Sequence, residues 1–95
     1  MGFIVVLFLQ FGADKVDEIK SKLLDAAAIY RKDPETLEWN VQQDLTDHTK
    51  ITLVEKYERE SSLTEIHRKN PIYQETIDLI TSNVTSPIEK HFIHT

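Results

Sequence analysis

The amino-acid sequence predicts an α+β fold in which an antiparallel sheet carries helices on one face. The run Phe3–Phe11 is apolar except at Gln10, which is typical of a buried central strand. The segments Thr36–Leu45 and Lys50–Glu58 alternate in polarity on either side of a short turn, as the two strands of an antiparallel hairpin do. Apolar residues recur at helical spacing before and after this hairpin. The predicted order is therefore β-α-β-β-α(α)-β, the split βαβ arrangement.

The first predicted helix follows the apolar strand. Asp14 is placed to cap it, and Asp17 adds a second acid to its positively polarised first turn. We expect the helix to run to about Lys32, because Asp33-Pro34 cannot continue it. Its apolar stripe consists of Val16, Ile19, Leu23, Ala26 or Ala27, and Tyr30.

The second half of the chain predicts two shorter helices and a last strand. Ser62 and Glu65 have the spacing of a capping box at the start of a helical segment. A second helix is expected to follow, with Asn70 as its cap and Pro71 as its first residue, where a missing N–H costs nothing. The last strand is expected within Val84–His94.

The first strand also predicts the assembly. Phe3–Phe11 is apolar on both of its faces, so both sides of the sheet should be covered. The predicted helices suffice for one side only. A second copy of the chain, packed sheet to sheet, is the simplest cover for the other side, and we therefore expect a homodimer.

Length and composition limit the classes of protein. Ninety-five residues make one domain, residues 1–95. The formal net charge of −5 argues against a nucleic-acid-binding protein, which needs a basic face. The chain has no cysteine, which excludes a disulfide framework and a thiolate nucleophile. Phe3–Phe11 is too short to span a membrane and lacks a basic leader, so we expect a cytoplasmic protein without membrane contact.

Three polar side chains fall on otherwise apolar faces. Glu55 and Tyr57 alternate with apolar residues on the third strand, and His67 shares a helical face with apolar neighbours. As catalytic residues, His67 would act as a general base or hydrogen-bond donor, and Glu55 would orient it and raise its pKa. The structural alternatives are a buried histidine bonded to a carbonyl or to Glu55, and a rim ion pair for Glu55.

The large amphipathic side chains are candidates for substrate binding. Trp39, Tyr57, Tyr30 and Tyr73 could line a pocket for a planar organic ligand, with Asn40 as a weaker polar candidate. Each aromatic could equally be plain core, and a dimer interface is the specific alternative for Trp39. The histidine and acid spacings include no metal motif, and with two glycines no phosphate-cradling loop is present. We therefore expect no metal or other cofactor.

The stretch LVEKYERESSLTEIHRKNPIY, residues 53–73, resembles the segment that marks the antibiotic-biosynthesis-monooxygenase-like family. In that family an apolar strand ends in Glu-x-Tyr or Glu-x-Trp, and a turn leads to a helix with an inward histidine before a polar residue and an aromatic. Here those places hold Glu55, Tyr57, His67, Asn70 and Tyr73. The resemblance implies the ferredoxin-like fold of the dimeric α/β-barrel superfamily, and hence the same homodimer.

The resemblance also implies a chemistry, namely cofactor-independent oxygenation of an activated aromatic such as a quinol or polyketide. Such a substrate supplies its own electrons, so the protein needs a base, an oxyanion donor and a dry pocket. Two alternatives remain open. One is isomerisation or degradation of a small oxygenated metabolite, and the other is a non-catalytic ligand-binding or stress-response dimer. The haem-degrading branch is disfavoured, because Ile77 and Asp78 stand where its axial histidine would lie.

Overall fold

The computed structural model describes residues 2–95 and has the predicted α+β, ferredoxin-like element order. The strands are β1 (Phe3–Gln10), β2 (Thr36–Gln43), β3 (Lys50–Tyr57) and β4 (Glu89–His94). The helices are α1 (Val16–Tyr30), α2 (Glu60–Glu65) and α3 (Tyr73–Thr81), with a turn of 3₁₀ helix, His67–Lys69, between the last two. In the described range, none of the helices combines the length and the apolar character that a membrane crossing requires.

The sheet places the apolar first strand at its centre. The strand order is β2-β3-β1-β4, and all neighbours are antiparallel. The hairpin of β2 and β3 and the central position of β1 are as predicted. The predicted apolar stripe of α1 is buried against one face of the sheet. This face and the helices above it form the core, in which Tyr30, Trp39 and Tyr57 are among the largest fully buried side chains.

Burial differs between the two faces of β1. Residues with odd numbers face the helices, and Phe3, Val5 and Leu9 are at most 4% exposed. On the other face Phe8 is 45% exposed and Ile93 of neighbouring β4 is 44% exposed. This second surface, the bare face, is formed by Ile4, Val6, Phe8, Val54 and Ile93. Within one chain, the expected burial of both faces of β1 is therefore not met.

Some predicted boundaries were wrong because short polar side chains close the turns earlier than the strand pattern indicates. The Asp44 carboxylate accepts hydrogen bonds from the backbone N–H of Thr46 at 3.0 Å and of Asp47 at 2.8 Å. This turn ends β2 at Gln43, so Leu45, which the pattern assigned to the strand, is fully exposed. These hydrogen bonds lower the pKa of Asp44, with the Asp47 N–H as the largest cause.

The predicted helix caps also differ. Asp14 does not cap α1, because the backbone carbonyl of Gly12 accepts the N–H of Val16 at 2.9 Å and Lys15 holds the capping position. Ser62 lies inside α2 rather than at its cap. Its hydroxyl donates to Glu35 at 2.7 Å and accepts the Arg59 N–H at 3.3 Å. The predicted pairing of Ser62 with Glu65 is therefore replaced by a tertiary hydrogen bond.

We expect the bare face to be covered by a second copy of the chain. Sedimentation should give twice the chain mass of 11.1 kDa. Phe8→Asp should yield a folded monomer, because the substitution puts a charge into the apolar contact at a cost of several kcal/mol. Leu24→Asp is the matched control, since Leu24 is 44% exposed but lies on the outer side of α1. A wild type that remains a folded monomer, or two variants that behave alike, would contradict the dimer.

Candidate functional site

Strand register assembles the floor of the site. Trp39 of β2 lies opposite Glu55 of β3, Glu55 lies opposite Val5 of β1, and Val5 lies opposite Phe92 of β4. These four residues form one row across the sheet, on the face that the helices cover. Tyr57 follows Glu55 by two residues and so points the same way. The sheet thus carries a carboxyl group into the interface between strands and helices.

The wall above Glu55 is the 3₁₀ turn that contains His67. Asn70 holds this turn in place. Its side-chain amide donates to both carboxylate oxygens of Asp33, at 2.9 and 3.0 Å, and its carbonyl oxygen accepts the Ile72 N–H at 3.0 Å. The helix predicted over this region is interrupted here, and α3 begins at Tyr73 rather than at Pro71. The turn directs His67 inward, where it is 4% exposed.

Aromatic rings surround the imidazole of His67. Its centroid lies 4.3 Å from the ring of Tyr30, 5.5 Å from Tyr57 and 6.3 Å from Trp39. Tyr73 meets it edge-on, with the centroids 5.2 Å apart. These contacts hold the imidazole in place over Glu55.

Glu55 is bonded to Tyr57 and not to His67. The Tyr57 hydroxyl donates to Glu55 Oε1 at 2.5 Å. His67 Nε2 lies 3.7 Å from the same oxygen, which is too far for a hydrogen bond. The expected pair of His67 and Glu55 is therefore brought together in space, but no proton is shared directly between them in this arrangement.

Three buried polar atoms around this cluster have no hydrogen-bond partner among residues 2–95. They are the Tyr30 hydroxyl, Trp39 Nε1 and His67 Nδ1. Buried polar groups in native proteins are rarely left unpaired, because each one loses hydrogen bonds to water. All three belong to side chains that line a single cavity. The cluster therefore offers hydrogen-bonding groups to a polar ligand that enters this cavity.

The cavity has a volume of about 110 Å³ and lies between α3 and the sheet. Its inner end is formed by Trp39 and Glu55, which are 2% and 4% exposed. Its outer end, the mouth, is formed by Arg68, Lys90 and Phe92, all of them exposed. Apolar cavities of about 150 Å³ bind benzene. The enclosed part therefore accommodates about one small ring, with polar groups at the bottom.

Burial shifts the two titratable groups in opposite directions. Desolvation raises the pKa of Glu55 to about 7, although the hydroxyl of Tyr57 and the nearby indole of Trp39 oppose the rise. Desolvation, followed by the positive charge of Arg68, lowers the pKa of His67 to about 4. The expectation that Glu55 raises the pKa of His67 is thus wrong. Burial outweighs the attraction across 3.7 Å.

Tyr30 and Tyr57 do not titrate near neutral pH. Burial raises the pKa of Tyr30 to about 12, while the neighbouring Thr76 side chain opposes that shift. Burial, followed by the charge of Glu55, raises the pKa of Tyr57 as well. At neutral pH the cluster therefore contains one carboxyl that exchanges a proton, one neutral imidazole and the protonated phenols of Tyr30 and Tyr57.

The structure brings most of the predicted site residues together. His67, Glu55, Tyr57, Tyr73 and Trp39 form the cluster, and Trp39 lies in the core of its own chain. Asn40 does not join them, because strand alternation turns it to the opposite face, where it donates to Glu38 at 3.4 Å.

The sequence interpretation missed the mouth of the cavity. Ile88, just before β4, and Lys90 and Phe92 of β4 all line the cavity, a period-two pattern that was available in the sequence. Arg68 was missed because nothing in the sequence places it at the rim. Within residues 2–95, no three His, Asp or Glu side chains are grouped as a metal site would require.

Glu55→Gln tests the buried carboxyl, because it removes the ionisation and keeps the shape. The folded pKa of about 7 lies above the ordinary 4.5, so the wild type loses stability as pH rises from 4.5 to 7. The stability of the variant relative to the wild type should increase by roughly 3 kcal/mol over that range. The neutral state of His67 contributes stability that is lost as pH falls from 6.5 to about 4, so its pH dependence has the opposite sign. Because both proteins contain His67, this contribution cancels when the variant is compared with the wild type.

Urea unfolding at several pH values and one protein concentration measures this difference. Glu38→Gln is the control, because the Glu38 side chain is 45% exposed and lies 3.2 Å from Lys56. Its stability relative to the wild type should change little with pH. If the stability of Glu55→Gln changed with pH in parallel with that of the wild type, the pKa of Glu55 would not be raised in the folded protein.

Comparisons with known proteins show the same fold. A structure from Nitrosomonas europaea, provisionally described as an antibiotic biosynthesis monooxygenase, superposes with a TM-score of 0.91 at 15% identity, covering 99% of this chain and 89% of that one. Rv0793 from Mycobacterium tuberculosis superposes with a TM-score of 0.88 at 17% identity, covering 100% and 95%. A conserved protein from Methanosarcina mazei superposes with a TM-score of 0.86 at 21% identity, covering 98% and 91%.

The sequence comparisons bear on the family. No curated protein matches the chain. The sequence profile of the antibiotic biosynthesis monooxygenase family matches residues 2–79, which include the whole of the resembling segment 53–73. Because the match spans most of the chain and the fold agrees, this protein belongs to the antibiotic biosynthesis monooxygenase family.

Proposed function

We propose that this protein is a monooxygenase that acts on a small aromatic or quinol-type metabolite, with Glu55 as its base. The observation that supports the proposal best is a carboxyl group with a pKa of about 7 at the closed end of a mainly apolar cavity. A general base is most effective when its pKa lies near the working pH. A surface carboxylate, with a pKa near 4, would be a much weaker base.

The substrate supplies the electrons in this proposal. Glu55 accepts the acidic proton of a phenol or of an activated ring methylene, which leaves an electron-rich anion. That anion reduces dioxygen, and a carbon–oxygen bond forms at the ring. For a quinol ring the overall change is C₆H₆O₂ + O₂ → C₆H₄O₃ + H₂O, and for an activated methylene group it is R₂CH₂ + O₂ → R₂C=O + H₂O. In each case one oxygen atom is bonded to carbon in the product, as the hydroxyl of a hydroxyquinone or as the carbonyl, and the second leaves as water with two hydrogens. No metal or flavin is assigned a part.

The unpaired donors fit the charge that this chemistry develops. Removal of the proton puts negative charge on the substrate oxygen, and the hydrogen-bond donors nearest the cavity are Trp39 Nε1 and the Tyr30 hydroxyl. Donors held in place in a dry site stabilise such an oxyanion more than water does. The neutral His67 has one N–H as well, and its low pKa keeps it from competing with Glu55 for the proton.

Tyr57 has a supporting role in this mechanism. Its hydroxyl binds Glu55 Oε1 and leaves Oε2 without a hydrogen bond from the described residues. The carboxyl group is therefore fixed in orientation, with one oxygen available to a ligand. Tyr57 is fully buried and does not itself have to contact the substrate.

Oxygen uptake with a panel of single-ring quinols tests the function. After subtraction of autoxidation, kcat/KM should rise with pH and level off above about 7, because Glu55 must be ionised to act as a base. Glu55→Gln should lower kcat by about 100-fold or more. Glu38→Gln, a change of the same kind on the opposite face of the sheet, should leave the rate within about twofold.

Two outcomes would decide against parts of the proposal. Full activity of Glu55→Gln would show that another group is the base. Binding of the compounds without oxygen uptake would leave the ligand-binding alternative, and isomer formation under anaerobic conditions would indicate the isomerase alternative.

A further inference from the structure

The mouth of the cavity has a charge opposite to that of the protein as a whole. The chain has a formal net charge of −5, yet the two charged side chains at the mouth are Arg68 and Lys90. Among residues 2–95, the one acidic side chain that lines the cavity is Glu55, at its closed end. An anion that approaches this opening therefore meets two cations first.

Among the described residues, neither cation forms an ion pair with a carboxylate. Lys69, the residue next to Arg68, lies 3.2 Å from Glu65, and Lys56 lies 3.2 Å from Glu38. Among residues 2–95, no carboxylate lies within 4.0 Å of Arg68 or Lys90. The charge of Arg68 nevertheless reaches into the site, since it contributes to lowering the pKa of buried His67.

The two cations approach the mouth from separate elements. Arg68 belongs to the 3₁₀ turn of His67, whereas Lys90 lies on β4, opposite Leu7 and next to the row of Glu55 and Phe92. Strand alternation forces Lys90 to the helix side of the sheet, where it extends past the apolar lining. Both cations therefore border the lining of the same cavity.

The size of the cavity determines which part of a bound ligand lies at the mouth. A cavity of about 110 Å³ has room for one ring and no more, so further substituents of a ligand must extend outward. A ring whose hydroxyl lies at Glu55 therefore has the positions meta and para to that hydroxyl toward the opening. A carboxylate there can accept hydrogen bonds from Arg68 and Lys90.

We propose that the cavity selects aromatic monoanions, in which a ring hydroxyl lies near Glu55 and a ring carboxylate lies between Arg68 and Lys90. The inference rests on the proposed function only in taking the same cavity as the substrate site. It adds the charge of the substrate class, and it requires no turnover.

Anaerobic binding of a matched pair of probes tests the inference. Gentisate is a quinol with a carboxylate, and gentisamide has the same ring without the charge. The indole N–H signal of Trp39, the single tryptophan, reports binding in a ¹⁵N–¹H NMR titration. We expect gentisate to bind more tightly than gentisamide, and added salt to weaken gentisate alone.

Substitutions of Arg68 and Lys90 separate the effect of their charge on binding from the effect of their shape. Arg68→Gln and Lys90→Gln should each raise the Kd of gentisate by about fivefold, and the double variant by about tenfold or more. The Kd of gentisamide should stay within about twofold in all three. Arg31→Gln and Lys15→Gln make the same change in net charge on exposed residues outside the cavity lining, and they should leave both constants unchanged.

Three results would overturn the inference. One is an equal loss for both probes in Arg68→Gln and Lys90→Gln, which would indicate a role in shape. Another is a change in gentisate affinity that is the same in the double variant as in the control variants. The third is binding of neither probe to the wild type at millimolar concentration. Charge-selective binding without oxygen uptake would keep this inference and reject the oxygenase.

Discussion

A carboxyl group buried in the apolar layer between sheet and helices dominates the electrostatics of the candidate site. Glu55 stands in the middle of a cross-strand row, between Trp39 and Val5, where a charge is costly. The hydrogen bond from Tyr57 offsets only part of that cost, so the pKa of Glu55 in the folded protein is raised to about 7. The same dry surroundings keep His67 uncharged. A single physical cause thus assigns the proton-exchanging role to the carboxyl and the neutral role to the imidazole.

The position of His67 depends on two tertiary hydrogen bonds to the turn after α1. Asn70 binds Asp33 on one side of the histidine, and Ser62 binds Glu35 on the other. Glu35 adopts the left-handed backbone conformation, with φ 66°, which costs a non-glycine residue about 1–2 kcal/mol. The turn therefore retains a residue of unfavourable conformation whose side chain anchors α2. A segment too short for a stable helix of its own is held by these contacts over the sheet.

The edge strand β4 borders both the candidate site and the bare face of the sheet. Every residue of β4 is exposed. One side of β4 adds Ile93 to the bare face, and the other side supplies Lys90 and Phe92 to the mouth of the cavity. A partner that binds the bare face would therefore also steady the strand that borders the mouth.

Periodicity in the sequence determined the elements and their order. The apolar run Phe3–Phe11, the alternation around Glu55 and Tyr57, and the stripe of α1 each follow from local geometry, and all three are found in the structure. Alternation also places Asn40 on the wrong side of β2 for the site, so that assignment was avoidable. Tertiary structure alone decided the features that require contact between segments far apart in the sequence. These are the tie of Ser62 to Glu35 instead of Glu65, and the arrival of Arg68 and Lys90 at one opening. The direction of the His67 pKa shift belongs with them, because desolvation depends on every neighbour at once and no spacing along the chain encodes it.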